Sequence, residues 1–264
     1  MPYSKQLGLI FVGIPKTGSS SLVSALKTLQ APYGEDLQLL REFVDKNYRK
    51  RYRFGEIGDP KPGRTKHLSA LQIKYVLGQE EFDRCIKFSV VRNPWSRMLS
   101  MYFFNHVDAE PSPELKLKRH TSRKFHNLDF ETWLTRRWRR NKLSRLPANL
   151  LGKRTNSENR PSVDAVGRYS NNQLHKLVDQ EGRVIVDHIG RLEQVQDTLD
   201  WVCRKIGTDR IEMPHINGAR KGHYSNFYNH RTREMVEEMC REDIAFFNYQ
   251  FEECPPEDTT GNEG

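Results

Sequence analysis

The apolar run Leu7 to Val12 breaks into Gly13-Ile14-Pro15-Lys16-Thr17-Gly18-Ser19-Ser20-Ser21 and resumes as the amphipathic run Leu22 to Leu29. That order reads as strand, tight loop, helix, which is the opening half of a strand-helix-strand unit and points the chain toward an α/β fold. Gly13 and Gly18 let the backbone curl so that its N–H groups face inward, and a helix starting at Ser19 or Ser20 adds the positive end of its dipole. The loop is shaped for an anion, although glycine and serine after a strand also build turns that bind nothing. Loops that hold ATP or GTP read G-x-x-x-x-G-K-[ST], with lysine directly after the second glycine. Here Ser19 stands in that place and Lys16 sits at the crown of the loop.

The same unit recurs along the chain. His67-Leu68-Ser69-Ala70 opens a helix through Val76 to Leu77, with Ser69 as N-cap and Gly78 just past its end. Cys85 to Val91 is nearly continuous apolar sequence with β-branched residues, the pattern of a strand covered on both faces. Asn93 and Pro94 then cap a helix carrying Trp95, Met98, Leu99, Tyr102 and Phe103 at helical spacing. A helix is predicted over Asp129 to Arg139, a third strand over Val184 to Ile189, and a helix over Glu193 to Ile206 that Gly207 stops. One last long helix places Val236, Cys240, Ile244 and Phe247 on one side. Tyr33 to Arg64 is polar and broken by glycines and prolines, and reads as loop with short elements. Strands alternating with helices predict a central parallel sheet flanked by helices, with ligands at the strands' carboxyl ends.

A chain of 264 residues suits a single α/β domain, taken as 1–254, with residues 107–165 as a basic insert or substrate-side lid and 255–264 as a disordered acidic tail. The net charge is +9, and the excess is uneven. Between Lys116 and Arg160 the acidic residues are only Asp129, Glu131 and Glu158, against a series of lysines and arginines that includes Arg136, Arg137, Arg139 and Arg140. Such a surface attracts polyanions: a sulfated or carboxylated glycan, a nucleic acid or an acidic lipid surface. A solvated basic face with no partner has the same composition. The four cysteines, Cys85, Cys203, Cys240 and Cys254, are scattered without zinc spacing and read as reduced thiols. Neither a leader before the first strand nor an apolar run of membrane-spanning length is visible, so a cytoplasmic protein is expected.

A second informative stretch is Val90-Val91-Arg92-Asn93-Pro94-Trp95-Ser96-Arg97-Met98-Leu99-Ser100-Met101-Tyr102. Arg92 leaves the carboxyl end of a strand and Ser100 lies in the following helix, which lets a guanidinium and a hydroxyl converge on one phosphate. A third, Asn217-Gly218-Ala219-Arg220-Lys221-Gly222-His223-Tyr224, is a basic loop before the last helix.

The P-K-T-G-S-S loop, followed in order by V-R-N-P-x-x-R-x-x-S-x-Y, resembles the sulfotransferases that use 3′-phosphoadenosine 5′-phosphosulfate (PAPS), in the carbohydrate-type branch known as sulfotransferase family 2. The resemblance covers roughly residues 7 to 252, and it implies the P-loop nucleotide-kinase-like sulfotransferase fold. It implies that Pro15, Lys16, Thr17, Gly18, Ser19, Ser20 and Ser21 hold the 5′-phosphosulfate, and that Arg92 and Ser100 hold the 3′-phosphate. Arg220 and Lys221 match the R-K-G loop that closes over the same phosphate, and Ile189-Gly190-Arg191-Leu192-Glu193 matches a landmark whose role is to fix a strand-to-helix turn. Many members of that branch are membrane-anchored Golgi enzymes, so the expected cytoplasmic setting departs from them and suits a bacterial or otherwise cytosolic protein. The implied acceptor is a hydroxyl, with a carbohydrate favoured and an anionic glycan at the basic insert. Nucleic acid is not the partner it implies.

Sulfuryl transfer needs an in-line acceptor oxygen, a base for its proton and positive charge at the departing phosphate oxygen. Lys16 suits the last task, because phosphates nearby hold a lysine in its charged form. His67 is chosen as the base, since the resemblance places it between the two cofactor motifs and imidazole titrates near neutral pH. Glu35 or Glu56 is the alternative, with His67 then only capping its helix. No metal is implied, since Lys16, backbone amides and Arg92 meet the donor's charge. Three further readings stand beside this one: transfer to a small alcohol or phenol, a P-loop nucleotide kinase, and a non-catalytic polyanion-binding protein.

Overall fold

The apolar stretches around residues 9–12 and 86–91 lie side by side, and their pairing sets the frame of the fold. A computed structural model describes residues 3–27, 67–106, 128–144, 171–214 and 222–254. Its sheet has the spatial order β1 (Tyr3–Ser4), β2 (Leu9–Val12), β3 (Ile86–Val91), β4 (His188–Arg191). β1 runs antiparallel to β2, whereas β2, β3 and β4 are parallel, with Leu9 opposite Ile86 and Phe88 opposite His188. Parallel neighbours require long crossovers. The first of these carries α1 (Ser19–Lys27), α2 (Ala70–Leu77) and α3 (Gln79–Arg84). The fold class is therefore α/β, with a mostly parallel sheet and helices between its strands.

The described residues fall into two compact units, Met1–Asn93 with Arg139–Asn217, and Pro94–Trp138 with Gly218–Gly264. The first holds the sheet. Leu9 and Phe11 of β2 and Phe88 and Val90 of β3 point to one face and pack with Leu22 and Leu26 of α1 and Leu199 and Val202 of α6 (Val195–Ile206). Ile10 and Val12 point the other way and are equally buried, so β2 is covered on both faces. The Phe11 and Phe88 rings stack with centroids 5.1 Å apart. α6 lies so close to β4 that a Cβ on Gly190 would sit 1.7 Å from Oγ1 of Thr198, which leaves room only for glycine there.

The second unit carries α4 (Pro94–His106), the first part of α5 (Phe130–Ser144), α7 (His230–Met239) and α8 (Arg241–Phe247). Aromatic edges hold it: Tyr102 meets Phe130 and Trp133, Phe130 meets Tyr228, and Trp95 meets Phe251. Their polar ends are satisfied, with Trp95 Nε1 donating to the Arg233 carbonyl at 3.3 Å and the Tyr228 hydroxyl to the Trp95 carbonyl at 2.8 Å.

Several element boundaries differ from expectation. The third parallel strand is His188–Arg191 rather than Val184 to Ile189, because Val184 instead forms an isolated antiparallel bridge with Val178. The last helix is two helices, broken at Cys240, whose backbone turns to φ −113° and ψ 21°. The apolar spacing continues across that break. The helix expected to end at Arg139 runs on to Ser144, started by Asp129, whose carboxylate accepts the Thr132 N–H at 2.8 Å. Ser69 caps α2 as expected, in a reciprocal pair with Gln72, and Gly207 ends α6 in the left-handed conformation at φ 69°.

Candidate functional site

β2 ends at Val12 and α1 begins at Ser19, so residues 13–18 form the loop at a strand's carboxyl end. Lys16 takes φ 70° and Gly18 φ 72°, two left-handed turns that curl the loop. A side chain rarely tolerates that conformation, and its cost of about 1–2 kcal/mol at Lys16 marks a place where geometry is imposed. The helical ladder of α1 opens with Leu22 N–H donating to the Gly18 carbonyl at 3.0 Å. The amides of Ser19, Ser20 and Ser21 precede that bond and cluster at the helix's positive end, the donor set that suits a phosphate or sulfate group.

The loop's hydroxyls divide into two kinds. Thr17 and Ser19 are buried, and both donate to the Ile14 carbonyl, at 3.0 and 2.8 Å. In this structure they brace the loop from within. Ser20 is exposed and Ser21 half-buried at the start of α1. Gly18 suits its positive dihedral, and a Cβ there would lie 2.6 Å from Cδ1 at the yielding tip of Leu192.

His67 stands at the entry to α2, half-buried. Its Nδ1 lies 3.0 Å from the Gly13 carbonyl oxygen, at the foot of the same loop, and its own carbonyl accepts from Lys176 Nζ at 3.2 Å. Arg92, one residue beyond β3, comes to the loop as well: its Nη1 donates to the Lys16 carbonyl at 3.4 Å. The first unit thus brings together Lys16, His67 and Arg92 from three separate stretches of sequence.

Two contacts position the main chain just beyond β3. Gln173 Oε1 accepts the Arg92 N–H at 2.9 Å while its Nε2 donates to the Arg92 carbonyl at 2.8 Å. Glu193 Oε1 accepts the Asn93 N–H at 2.8 Å, at the turn after β3 and not within its own stretch. A run of three amides, Asn171, Asn172 and Gln173, all buried, was the available clue to the first.

Ser100 belongs to the second unit, half-buried in α4. On the same helix Arg97 is buried, which pushes its guanidinium below its usual range, while the charge of the buried Asp243 opposes that shift. Arg220, Lys221, Glu35 and Glu56 lie outside the described residues, as do residues 107–127 and 145–165 of the basic segment and the tail 255–264. Among the described residues, no group of three or more His, Cys, Asp or Glu side chains is arranged to hold a metal, and no helix is long and apolar enough to cross a membrane.

The family model described as "Sulfotransferase family" matches residues 2–250. No curated protein and no solved structure gives a match.

Proposed function

The chain belongs to the sulfotransferase family, in its family 2 branch, and on that premise we propose that it moves the sulfuryl group of PAPS to a hydroxyl of a carbohydrate. Membership carries the P-loop-like fold and sulfuryl transfer. The choice of donor rests on one observation, the convergence of Lys16, Arg92 and the amides at the start of α1 around a loop curled by two left-handed residues. These donors fit a ligand carrying more than one anionic group.

Bound PAPS supplies the sulfuryl group and leaves as 3′-phosphoadenosine 5′-phosphate. The protein's own residues supply the rest. The amides of Ser19, Ser20 and Ser21 cradle the anionic end, and Lys16, held cationic by it, stabilises charge on the departing oxygen. His67 takes the acceptor's proton at Nε2, since the Gly13 carbonyl can only accept and therefore keeps the imidazole proton on Nδ1. The resemblance to the family assigns Arg92 and Ser100 to the 3′-phosphate, and Arg220 and Lys221 to the loop that covers it. An anionic glycan is the acceptor class that suits the exposed Arg136, Arg139, Arg140 and Lys142 of α5.

The deciding experiment is thermal stabilisation by 3′-phosphoadenosine 5′-phosphate against Mg-ATP. At one hundred times its Kd the former is expected to add about 2.7 kcal/mol. Stronger stabilisation by ATP would overturn the reading in favour of a nucleotide kinase. A panel of glycans, phenols and alcohols incubated with labelled PAPS then identifies the acceptor, and transfer to phenols alone would remove the carbohydrate.

A further inference from the structure

Gln173 does at the end of β3 what a neighbouring strand does along it. In extended backbone the N–H and C=O of one residue point to the same side, so a single carboxamide lying in their plane can meet both. The ladder between β3 and β4 stops at Val91 opposite Arg191. At the next residue Gln173 takes over, accepting the Arg92 N–H at 2.9 Å and donating to the Arg92 carbonyl at 2.8 Å. One residue further, Glu193 accepts the Asn93 N–H at 2.8 Å. Two side chains distant in sequence therefore hold three consecutive main-chain groups just where the strand ends. Gln173 is 0% exposed, so both of its bonds are made away from water, where leaving either partner unmade is costly.

We propose that Gln173 is a positioning residue for the cofactor's 3′-phosphate. It holds the main chain of Arg92 so that the guanidinium is delivered to one place. The inference rests on the reading of Arg92 as a 3′-phosphate ligand. An arginine side chain is long, and the direction it leaves from is set by its backbone. A carboxamide that grips both polar groups of that backbone removes the peptide rotations that would otherwise spread the guanidinium over several positions. Glu193 accepts from the N–H of the same peptide whose carbonyl Gln173 holds, so the two side chains restrain that peptide from both of its polar ends.

The test is the preference for a 3′-phosphate, read by calorimetric titration of the full chain with 3′-phosphoadenosine 5′-phosphate and with adenosine 5′-phosphate. Wild type is expected to prefer the former, and Arg92→Ala to lose most of that preference. Gln173→Met has similar length but lacks both hydrogen-bonding atoms. It is expected to cut the preference roughly tenfold, the equivalent of about 1.4 kcal/mol, while the Kd for adenosine 5′-phosphate stays nearly unchanged. Gln173→Glu keeps an acceptor for the Arg92 N–H and is expected to fall between. Equal weakening of both nucleotides in Gln173→Met would mean that Gln173 serves only the fold, and would overturn the proposal. If that variant does not fold, Gln173→Glu decides on the same ratio. A wild type with no preference, matched by Arg92→Ala, would instead remove the reading of Arg92 itself, and the proposal with it.

Discussion

The imidazole Nδ1 of His67 lies 3.0 Å from the carbonyl oxygen of Gly13, tying the proposed base to the first residue of the anion loop. A carbonyl oxygen has no proton to give, so the ring must present N–H there and keep the lone pair of its neutral form on Nε2. The contact therefore orients the ring, sets its tautomer and braces the loop.

These roles separate by mutation. His67→Ala removes the base and the brace, whereas His67→Asn keeps an amide near the place of Nδ1 and removes only the base. Both are expected to lose about 10²–10⁴-fold in turnover. Affinity for 3′-phosphoadenosine 5′-phosphate should be nearly unchanged in His67→Asn and somewhat weaker in His67→Ala. Steady-state kinetics and a binding titration give both readouts, and full turnover in His67→Ala would transfer the role to Glu35 or Glu56.

What was legible in the sequence depended on whether a feature repeats or acts alone. Alternating apolar runs announced β2, β3, α1 and α6, and short local signals announced the Ser69 and Gly207 caps. β1, of two residues, is too short to show a period. The Val184 run has strand composition, but it spends its first residue on a bridge to Val178, and the parallel strand begins at His188. At the site, Lys16, His67 and Arg92 were named from motifs, and the first unit brings them to one loop. Gln173 stayed hidden because a side chain that bonds a distant backbone leaves no spacing to read. Thr17 and Ser19, which the resemblance assigns to the phosphosulfate, both donate to the Ile14 carbonyl.

The loop's two left-handed residues predict opposite responses to substitution. Gly18→Ala forces a side chain into φ 72° and toward Cδ1 of Leu192. The leucine tip can yield, whereas the dihedral cannot, so the variant is expected to lose about 1–2 kcal/mol of stability. A double-mutant cycle with Leu192→Ala should then show coupling below about 0.5 kcal/mol. Larger coupling would mean that the contact, not the backbone, sets the cost. At Lys16 the strain is already present, so Lys16→Gly should be at least as stable as Lys16→Ala in denaturant melts, with turnover lost in both.

Acid sensitivity is predicted away from the loop, at His188. Its ring stacks on Trp201 with centroids 4.4 Å apart and planes 14° from parallel, and burial pushes its pKa below the ordinary value of 6.5. The sign follows from where the proton binds more readily. The unfolded chain takes it up first, so the contribution of His188 is complete above about pH 6.5 and declines as the pH falls below it. His188→Phe keeps an aromatic stack but cannot titrate. Thermal melts at pH 7.5 and pH 5.5 should therefore show a smaller acid-induced loss for the variant than for the wild type. An equal loss in both would show that His188 does not report the change in pH.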